Sequence, residues 1–254
     1  MSLVIETHGL TRFFDGFCAV DHIDLKVEPG TFYGFLGPNG AGKSTTIKML
    51  TGLLAPSGGT IRLLGKDMLK AAEALEAKSK MGVVPEDLAL FDNLTAREYL
   101  TFVGRMFLLP RDTIRTRIDE LLPVFGLQDD EKKLTLEYSH GMKKKLALAA
   151  ALLPNPDLLF LDEPFEGVDA VTSRTIRDML HGFVARGSTV FLTSHVLEIV
   201  ERLCTHVGII VKGELVEQAS LEEIRQGKSL EERFLEKVGA DLEPTEKLRW
   251  LEEK

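Results

Sequence analysis

One stretch of the sequence is far more informative than the rest: Gly37-Pro38-Asn39-Gly40-Ala41-Gly42-Lys43-Ser44, followed by Thr45. Its spacing is GxxxxGK(S/T), and it lies between a short apolar run at residues 32–36 and a segment with helical periodicity at residues 43–54. A strand that leads through such a loop into a helix distinguishes a phosphate-binding loop from an ordinary glycine-rich turn. The stretch therefore predicts a nucleoside triphosphate site within an α/β fold.

The residue types in this loop match what phosphate binding requires. Glycines allow backbone N–H groups to turn inward and contact phosphate oxygens, and the following helix points its positive end at the anion. Lys43 supplies a compact cation for the β- and γ-phosphates, and the Ser44 hydroxyl is a suitable ligand for Mg²⁺. We therefore expect residues 37–45 to bind ATP together with Mg²⁺.

A second motif follows the apolar run at residues 158–161, which ends in Asp162 and Glu163. In open α/β sheets the carboxyl ends of the strands face the ligand, so both carboxylates should lie near the phosphates. Asp162 is suited to coordinate Mg²⁺. Glu163 is suited to activate the attacking water as a general base. An acidic turn without a ligand is the alternative, and the complete phosphate loop upstream argues against it.

The rest of the pattern predicts the fold. Strand-like segments at residues 3–5, 19–27 and 60–64 indicate an antiparallel sheet, and residues 207–217 indicate a hairpin. Residues 88–153 have helical periodicity and a capping box at Thr95 and Glu98. The predicted fold class is α/β, a RecA-like P-loop NTPase core with a flanking antiparallel β subdomain and an inserted α-helical subdomain at about 88–153. The predicted domains are an ATPase domain at 1–220 and a helical C-terminal tail at 221–254.

Composition narrows the function classes. The chain has 254 residues and a net charge of −8, so it has no general attraction for nucleic acid, and we expect no nucleic-acid partner. Its two cysteines, Cys18 and Cys204, lack the spacing of a zinc site or a disulfide framework, which fits the cytoplasm. We also expect neither a secretory signal nor a transmembrane helix. Work at a membrane would then require a partner.

A third motif, Tyr138-Ser139-His140-Gly141-Met142, connects these features. It is similar to the LSGGQ signature of the ATP-binding cassette (ABC) family, and with the other two motifs the chain resembles that family from Ile5 to about Gln218. Tyr, His and Met replace the usual Leu, Gly and Gln, whereas the small hydroxyl of Ser139 and the unobstructed backbone of Gly141 remain. The residues of this signature, together with the tail segment Ser229-Leu230-Glu231-Glu232-Arg233-Phe234-Leu235, resemble the branch of the family that works with ABC-2-type exporters.

The resemblance implies roles for further residues. In the family two cassettes stack head to tail, so Ser139 and Gly141 would contact the γ-phosphate of ATP bound to a second, identical subunit. Residues 167–169 resemble the D-loop that links the two sites. His195 resembles the switch histidine, which would hydrogen-bond the γ-phosphate and hold Glu163 in place as the second catalytic residue.

Two further positions and one run of lysines also bear on the predicted site. Phe14 aligns with the family's aromatic residue that stacks on adenine, with Phe13 and Phe17 as competitors. Glu86 stands where the family usually has a glutamine; it keeps an oxygen ligand for the metal and adds a charge. Lys143, Lys144 and Lys145 are interpreted as a solvated helix face, and a contribution to phosphate attraction is the alternative.

The sequence thus predicts an ATP-hydrolysing subunit that powers a transporter, and export is favoured. The implied partner is an integral membrane permease on a separate chain, whose helix would enter a groove lined by Leu88, Leu90, Phe91, Leu94 and Tyr99. The subunit would lie in the cytoplasm on the inner face of the cell membrane. The alternatives are a soluble cassette ATPase in DNA repair or translation and another phosphate-loop enzyme such as a kinase. The single phosphate loop and absent heptads argue against the first, and Ser139 and His195 against the second.

Overall fold

In residues 3–225 and 227–239, the part of the chain that this computed structural model describes, eleven strands form two sheets. The first sheet is antiparallel and contains β1 (Ile5–Phe14), β2 (Phe17–Ile23), β3 (Lys26–Val27), β5 (Gly58–Leu63) and β6 (Lys66–Asp67). The second contains β4 (Phe32–Leu36), β7 (Met81–Val84), β8 (Leu158–Asp162), β9 (Thr189–Ser194), β10 (His206–Val211) and β11 (Glu214–Ser220).

The antiparallel sheet has the order β2-β1-β5-β6, with β3 paired to β1. Its first hairpin turns at Asp15 and Gly16, which both have positive φ, and this turn pairs Phe14 with Phe17. The sequence predicted this sheet but placed its first strand only at residues 3–5. The predicted segment at 19–27 is divided between β2 and β3, and at the break the Asp24 carboxylate accepts a hydrogen bond from Gly9 N at 2.7 Å.

The second sheet has the order β11-β10-β4-β9-β8-β7 and is parallel except for the predicted hairpin of β10 and β11. Strands β4, β8 and β9 are buried along their whole length, as expected for a parallel sheet covered on both faces. Phe160 and Phe191 pack on the face that meets the antiparallel sheet, and Leu159 and Leu161 pack on the opposite face. This alternation follows from the two-residue repeat of a strand.

Nine helices lie in the described ranges, together with single 3₁₀ turns at Gln128–Asp130 and Thr135–Glu137. They are α1 (Lys43–Leu50), α2 (Ala71–Lys78), α3 (Ala96–Met106), α4 (Arg111–Val124), α5 (His140–Leu152), α6 (Ala170–Ala185), α7 (Leu197–Leu203), α8 (Leu221–Ile224) and α9 (Leu230–Val238). No helix among the described residues is both long enough and apolar enough to cross a membrane.

The predicted helical regions contain several of these helices. Helices α3, α4 and α5 occupy residues 88–153, and α3 begins with the predicted capping box of Thr95 and Glu98. Helices α8 and α9 lie in the predicted helical tail, and each begins with a capping box, at Ser220 and at Ser229. Residues 240–254 of the predicted tail lie outside the described residues.

The register of the parallel sheet brings four strand ends to one edge. Asp162 at the end of β8 lies opposite Thr193 in β9, and Leu36 at the end of β4 lies opposite Ser194. Val84 at the end of β7 lies opposite Leu161. The loops that leave these strands carry the phosphate motif, the two carboxylates, His195 and Glu86, so the fold collects the predicted site residues at this edge.

Candidate functional site

A cavity of about 450 Å³ lies at this edge of the parallel sheet. It is lined by Phe14, Phe17, Ala19, Asn39, Gly40, Gly42, Lys43, Ser44, Thr45, Glu86, Glu163, Glu166 and His195. Gly37, Pro38, Ala41 and Asp162 belong to the same loops but do not line it, and Ser139 and Gly141 are also absent from its lining. Most of the residues that the sequence predicted as one site therefore do surround one cavity.

The phosphate loop is held in its shape by close packing. A Cβ atom added at Gly37 would lie 2.4 Å from Ile210 O, and one added at Gly42 would lie 2.5 Å from Ala19 O. Gly42 also has a φ of 106°, which side-chain-bearing residues rarely adopt, and α1 begins directly after it. Glycine is therefore required at both positions by the surrounding backbone, independently of any ligand.

Lys43 is buried at the first position of α1. Its ammonium donates hydrogen bonds to Gly37 O at 2.7 Å and to Pro38 O at 3.3 Å, so it lies against the carbonyls of its own loop. Burial lowers the pKa of Lys43, and the carboxylates of Glu163 and Asp162 oppose that shift. The loop thus holds a cation at the cavity wall, opposite the acidic side chains.

Ser44, Glu86 and Asp162 bring three oxygen-bearing side chains together. The Ser44 hydroxyl donates a hydrogen bond to Glu86 Oε2 at 3.0 Å. Burial raises the pKa of Asp162, and the hydrogen bond that its carboxylate accepts from Thr193 acts in the opposite direction. No group of three or more His, Cys, Asp or Glu side chains in the described part of the chain forms a metal site by itself. The donor set fits Mg²⁺, which proteins usually hold with one or two carboxylates plus substrate phosphates.

Glu163 and His195 are in direct contact. His195 Nδ1 lies 3.0 Å from Glu163 Oε1, and because a carboxylate can only accept, this contact requires a proton on Nδ1. The Glu163 side chain is only 10% exposed, whereas that of His195 is 49% exposed. Glu163 also has a φ of 48°, a conformation that residues other than glycine rarely adopt, and its N–H donates to Thr193 Oγ1 at 3.2 Å. The backbone thus holds this carboxylate in the cavity at a cost in strain.

The aromatic end of the cavity reduces the three predicted candidates to two. Phe14 and Phe17 both line it, whereas Phe13 does not. The guanidinium of Arg12 lies over the Phe14 ring, 4.5 Å from its centroid, and Arg12 is not among the lining residues. A cation on one face of an aromatic ring leaves the other face for stacking.

The signature motif lies elsewhere on the surface. Ser139 is exposed and caps α5, where its hydroxyl oxygen accepts a hydrogen bond from Met142 N at 3.2 Å. A Cβ atom at Gly141 would lie 3.1 Å from Gly167 O, and one at Gly167 would lie 3.1 Å from His140 Nδ1. The signature turn therefore packs against the segment at 167–169 of its own chain, outside the cavity.

Two residues near the cavity were missed by the sequence analysis. Glu166 lines it. Lys144 is 1% exposed, so the interpretation of residues 143–145 as a solvated helix face is wrong at that position. Lys143 and Lys145 do form ion pairs, with Asp92 and Asp169, each at 3.4 Å. The four-residue step from Lys144 to the buried Leu148 could have placed Lys144 on the inner face of α5.

Comparisons with known proteins agree with the nucleotide site that this geometry indicates. The model of the family described as "ABC transporter" matches residues 20–166. The bacitracin transport ATP-binding protein BcrA of Bacillus licheniformis is 39% identical over 227 residues, which are 89% of this chain and 72% of that protein. The Nod factor export ATP-binding protein I of Cupriavidus metallidurans is 35% identical over 248 residues, 96% of this chain and 80% of that protein.

A solved structure has the same fold. The structure of an ATP binding subunit of an ABC transporter superposes with a TM-score of 0.87 at 28% identity, and the match covers 93% of this chain and all of that one. The predicted fold class is thereby confirmed. The chain belongs to the ABC transporter family, and it is an ATP-binding ATPase subunit of that family.

Proposed function

We propose that this ATPase subunit drives export of a substrate through a separate integral membrane protein, and that two copies of the chain form the working ATPase. The observation that carries the proposal is the cavity in which a phosphate loop faces the Glu163–His195 pair. A triphosphate group held by the loop would present its last phosphate to a carboxylate and an imidazole that are already in contact.

The residues of the cavity suit hydrolysis by a bound water. Backbone N–H groups of residues 37–42 and the Lys43 ammonium would hold the phosphate oxygens. Glu163 would accept the proton of the attacking water, and His195 would keep the carboxylate oriented through the 3.0 Å contact. Either Phe14 or Phe17 would stack on the adenine ring, which needs only an aromatic face.

Mg²⁺ is part of this proposal. Ser44, Glu86 and Asp162 would hold the ion beside the phosphates, since the Ser44 hydroxyl donates to Glu86 and Thr193 donates to the carboxylate of Asp162. When bound, the ion would neutralise charge on the transferred phosphoryl group. The chain's own carboxylates would otherwise repel the nucleotide.

The signature motif supports a second subunit. Ser139 is exposed and does not line the cavity of its own chain, and its hydroxyl proton is not used in capping α5. A second copy related by a two-fold axis would place the Ser139 and Gly141 of each chain opposite the phosphate loop of the other. The 35–39% identity to transport and export ATP-binding proteins supports the membrane function, with the subunit on the inner face of the membrane.

A groove of about 390 Å³ supports docking of the membrane protein. It lies between β7, α3 and α5, and its lining includes Leu88, Leu90 and Tyr99 of the predicted set. Phe91 packs edge-on against Tyr99 and Phe102 beside it, whereas neither Phe91 nor Leu94 is in the lining. Leu88 lines the groove and Glu86, close to it in sequence, lines the cavity. A shift of Leu88 on docking would therefore move Glu86 at the proposed metal site.

The proposal is tested by two measurements on the purified chain and its native membranes. Phosphate release from ATP without any phosphoacceptor should occur, and its absence would favour a kinase-like enzyme. The tagged chain should recover a polytopic membrane protein from detergent-solubilised membranes. Leu90→Asp should lose that protein, whereas Leu75→Asp, which alters a 72% exposed leucine on α2, should retain it. Equal recovery by both variants would contradict the groove as the docking site.

A further inference from the structure

A buried lysine lies beneath the carboxylates of the cavity and has no assigned role. Lys144 is in the second turn of α5, the helix whose first turn carries Ser139 and Gly141, and it is 1% exposed. Among the described residues its one hydrogen bond is donated by Nζ to the backbone oxygen of Asp162, at 3.4 Å. A buried ammonium with a single long hydrogen bond is costly, so its surroundings must explain it.

The surroundings are strongly acidic. Burial lowers the pKa of Lys144, and the carboxylates of Glu166, Asp162, Glu163 and Glu86 all oppose that shift. Three of these four acids line the cavity, and the fourth, Asp162, immediately precedes one of them, Glu163, in the chain. The field of Lys144 therefore acts on the same space that receives the phosphates.

A count of charges shows why a second cation matters. Three of the four carboxylates, those of Glu163, Asp162 and Glu86, also act on Lys43, and one lysine alone cannot balance all four. A nucleoside triphosphate adds several more negative charges to the same space. Unlike charges inside a protein attract over several ångströms, because the effective dielectric there is far below that of water, so one buried ammonium changes the balance.

We propose that Lys144 is a positioning residue of the nucleotide site: it anchors the first turns of α5 to the backbone of Asp162, and its charge offsets the carboxylates so that the triphosphate can bind. This inference rests on the proposed ATP site. It assigns the residue a function that depends on charge, in contrast to a lysine that only fills space in the core.

The test is Lys144→Met, which removes the charge and keeps the length of the side chain. Removing this ammonium leaves the buried carboxylate of Asp162 without this neighbouring cation, so the unfolding temperature should fall, and binding is compared at a temperature at which circular dichroism shows that the variant is folded. Lys143→Met is the matched control, because it removes the same charge one residue earlier from a partly exposed ion pair with Asp92.

Affinities for ATP and ADP are measured by calorimetry in EDTA for all three proteins. We expect Lys144→Met to bind ATP about ten-fold more weakly, which corresponds to about 1.4 kcal/mol, and to bind ADP only about three-fold more weakly, because ADP carries less charge. Lys143→Met should match the wild type for both nucleotides.

Two results would overturn the proposal. Unchanged ATP affinity in Lys144→Met would show that the charge does not reach the site, and equal losses for ATP and ADP would show a distorted pocket instead of a lost charge. Wild-type protein that binds neither nucleotide even when Mg²⁺ is added would instead overturn the proposed ATP site itself, so the two failures are distinguishable.

Discussion

The phosphate loop and the signature turn are the two ends of one predicted site, and within a single chain they differ in packing and exposure. The loop is tightly built: Gly37 and Gly42 pack on neighbouring backbone, Lys43 is buried, and Ser44 contacts Glu86. The signature turn, by contrast, exposes Ser139 at the surface and packs against the segment at 167–169 of its own chain, outside the cavity.

This difference indicates which parts of the predicted site one chain provides by itself. Loop, carboxylates and histidine are brought together by the register of one parallel sheet, so one chain supplies all of them to the same cavity. The exposed Ser139 has a hydroxyl proton available for a ligand, but the cavity of its own chain is lined by other residues. In the proposed function, a second copy would supply its Ser139 and Gly141 to this cavity.

The largest effect is expected from Lys43→Ala. The loss of a charge-assisted contact with the phosphates should weaken ATP binding by roughly ten- to 100-fold and remove hydrolysis, while the fold persists. Calorimetric titration of the single chain measures this directly. Lys48→Ala on the exposed side of the same helix is the control and should bind as the wild type does. Normal turnover in Lys43→Ala would mean that the phosphate loop has been wrongly identified as the nucleotide site.

A change at the other end should separate binding from hydrolysis. Ser139→Asp keeps a good helix cap for α5 and places a carboxylate where the second chain's phosphate is expected. ATP affinity of the single chain should stay within about two-fold of the wild type, whereas the hydrolysis rate should fall by about 100-fold, as it does when a donor to developing charge is lost.

Ser229→Asp is the matched control, because Ser229 caps α9 with the same side-chain hydrogen bond and lies outside the cavity lining. It should hydrolyse ATP at the normal rate. If Ser139→Asp weakened binding as strongly as Lys43→Ala does, the comparison between the two ends would break down, because both would then belong to one chain's site.

The smallest expected effect concerns Glu86. Because it accepts a hydrogen bond from Ser44 at 3.0 Å, it lies where an added carboxylate repels metal-free nucleotide and favours Mg²⁺. Glu86→Gln should bind ATP in EDTA about three-fold more tightly and need more free Mg²⁺ for half-maximal hydrolysis. This change is opposite in sign to that expected for Lys144→Met. Asp87→Asn, at the exposed neighbouring acid, should change neither quantity, and curves for Glu86→Gln that superimpose on the wild type would remove Glu86 from the metal site.

The sequence could predict the position of the phosphate loop and of the two carboxylates because their conformations are determined locally. A strand, a glycine loop and a helix N-terminus in succession leave little choice of conformation, and an apolar strand that ends in Asp162 and Glu163 has only one edge of the sheet to reach. The contact between Glu163 and His195 followed from family resemblance, since nothing in the spacing of these residues brings them together.

Other features could not be predicted because they depend on packing between distant segments. The need for glycine at position 37 comes from Ile210, far along the chain. Lys144 carries the same charge as its two neighbours, so its four-residue step to Leu148 was the one sign in the sequence that α5 turns it toward β8, and that packing buries it. The choice between Phe13, Phe14 and Phe17 depended on the hairpin turn at Asp15 and Gly16, which directs two of them to the cavity.

The central claim is that two chains complete each other's nucleotide sites, and it is tested most directly by the mass of Glu163→Gln in solution. Because this change removes the proposed base and leaves the phosphate loop intact, ATP should bind without being hydrolysed and hold the two chains together. Light scattering behind size exclusion should show the mass of one chain without nucleotide and twice that mass with saturating ATP and Mg²⁺. Ser139→Asp added to Glu163→Gln should return the mass to one chain. A single-chain mass for Glu163→Gln at saturating ATP would contradict the account.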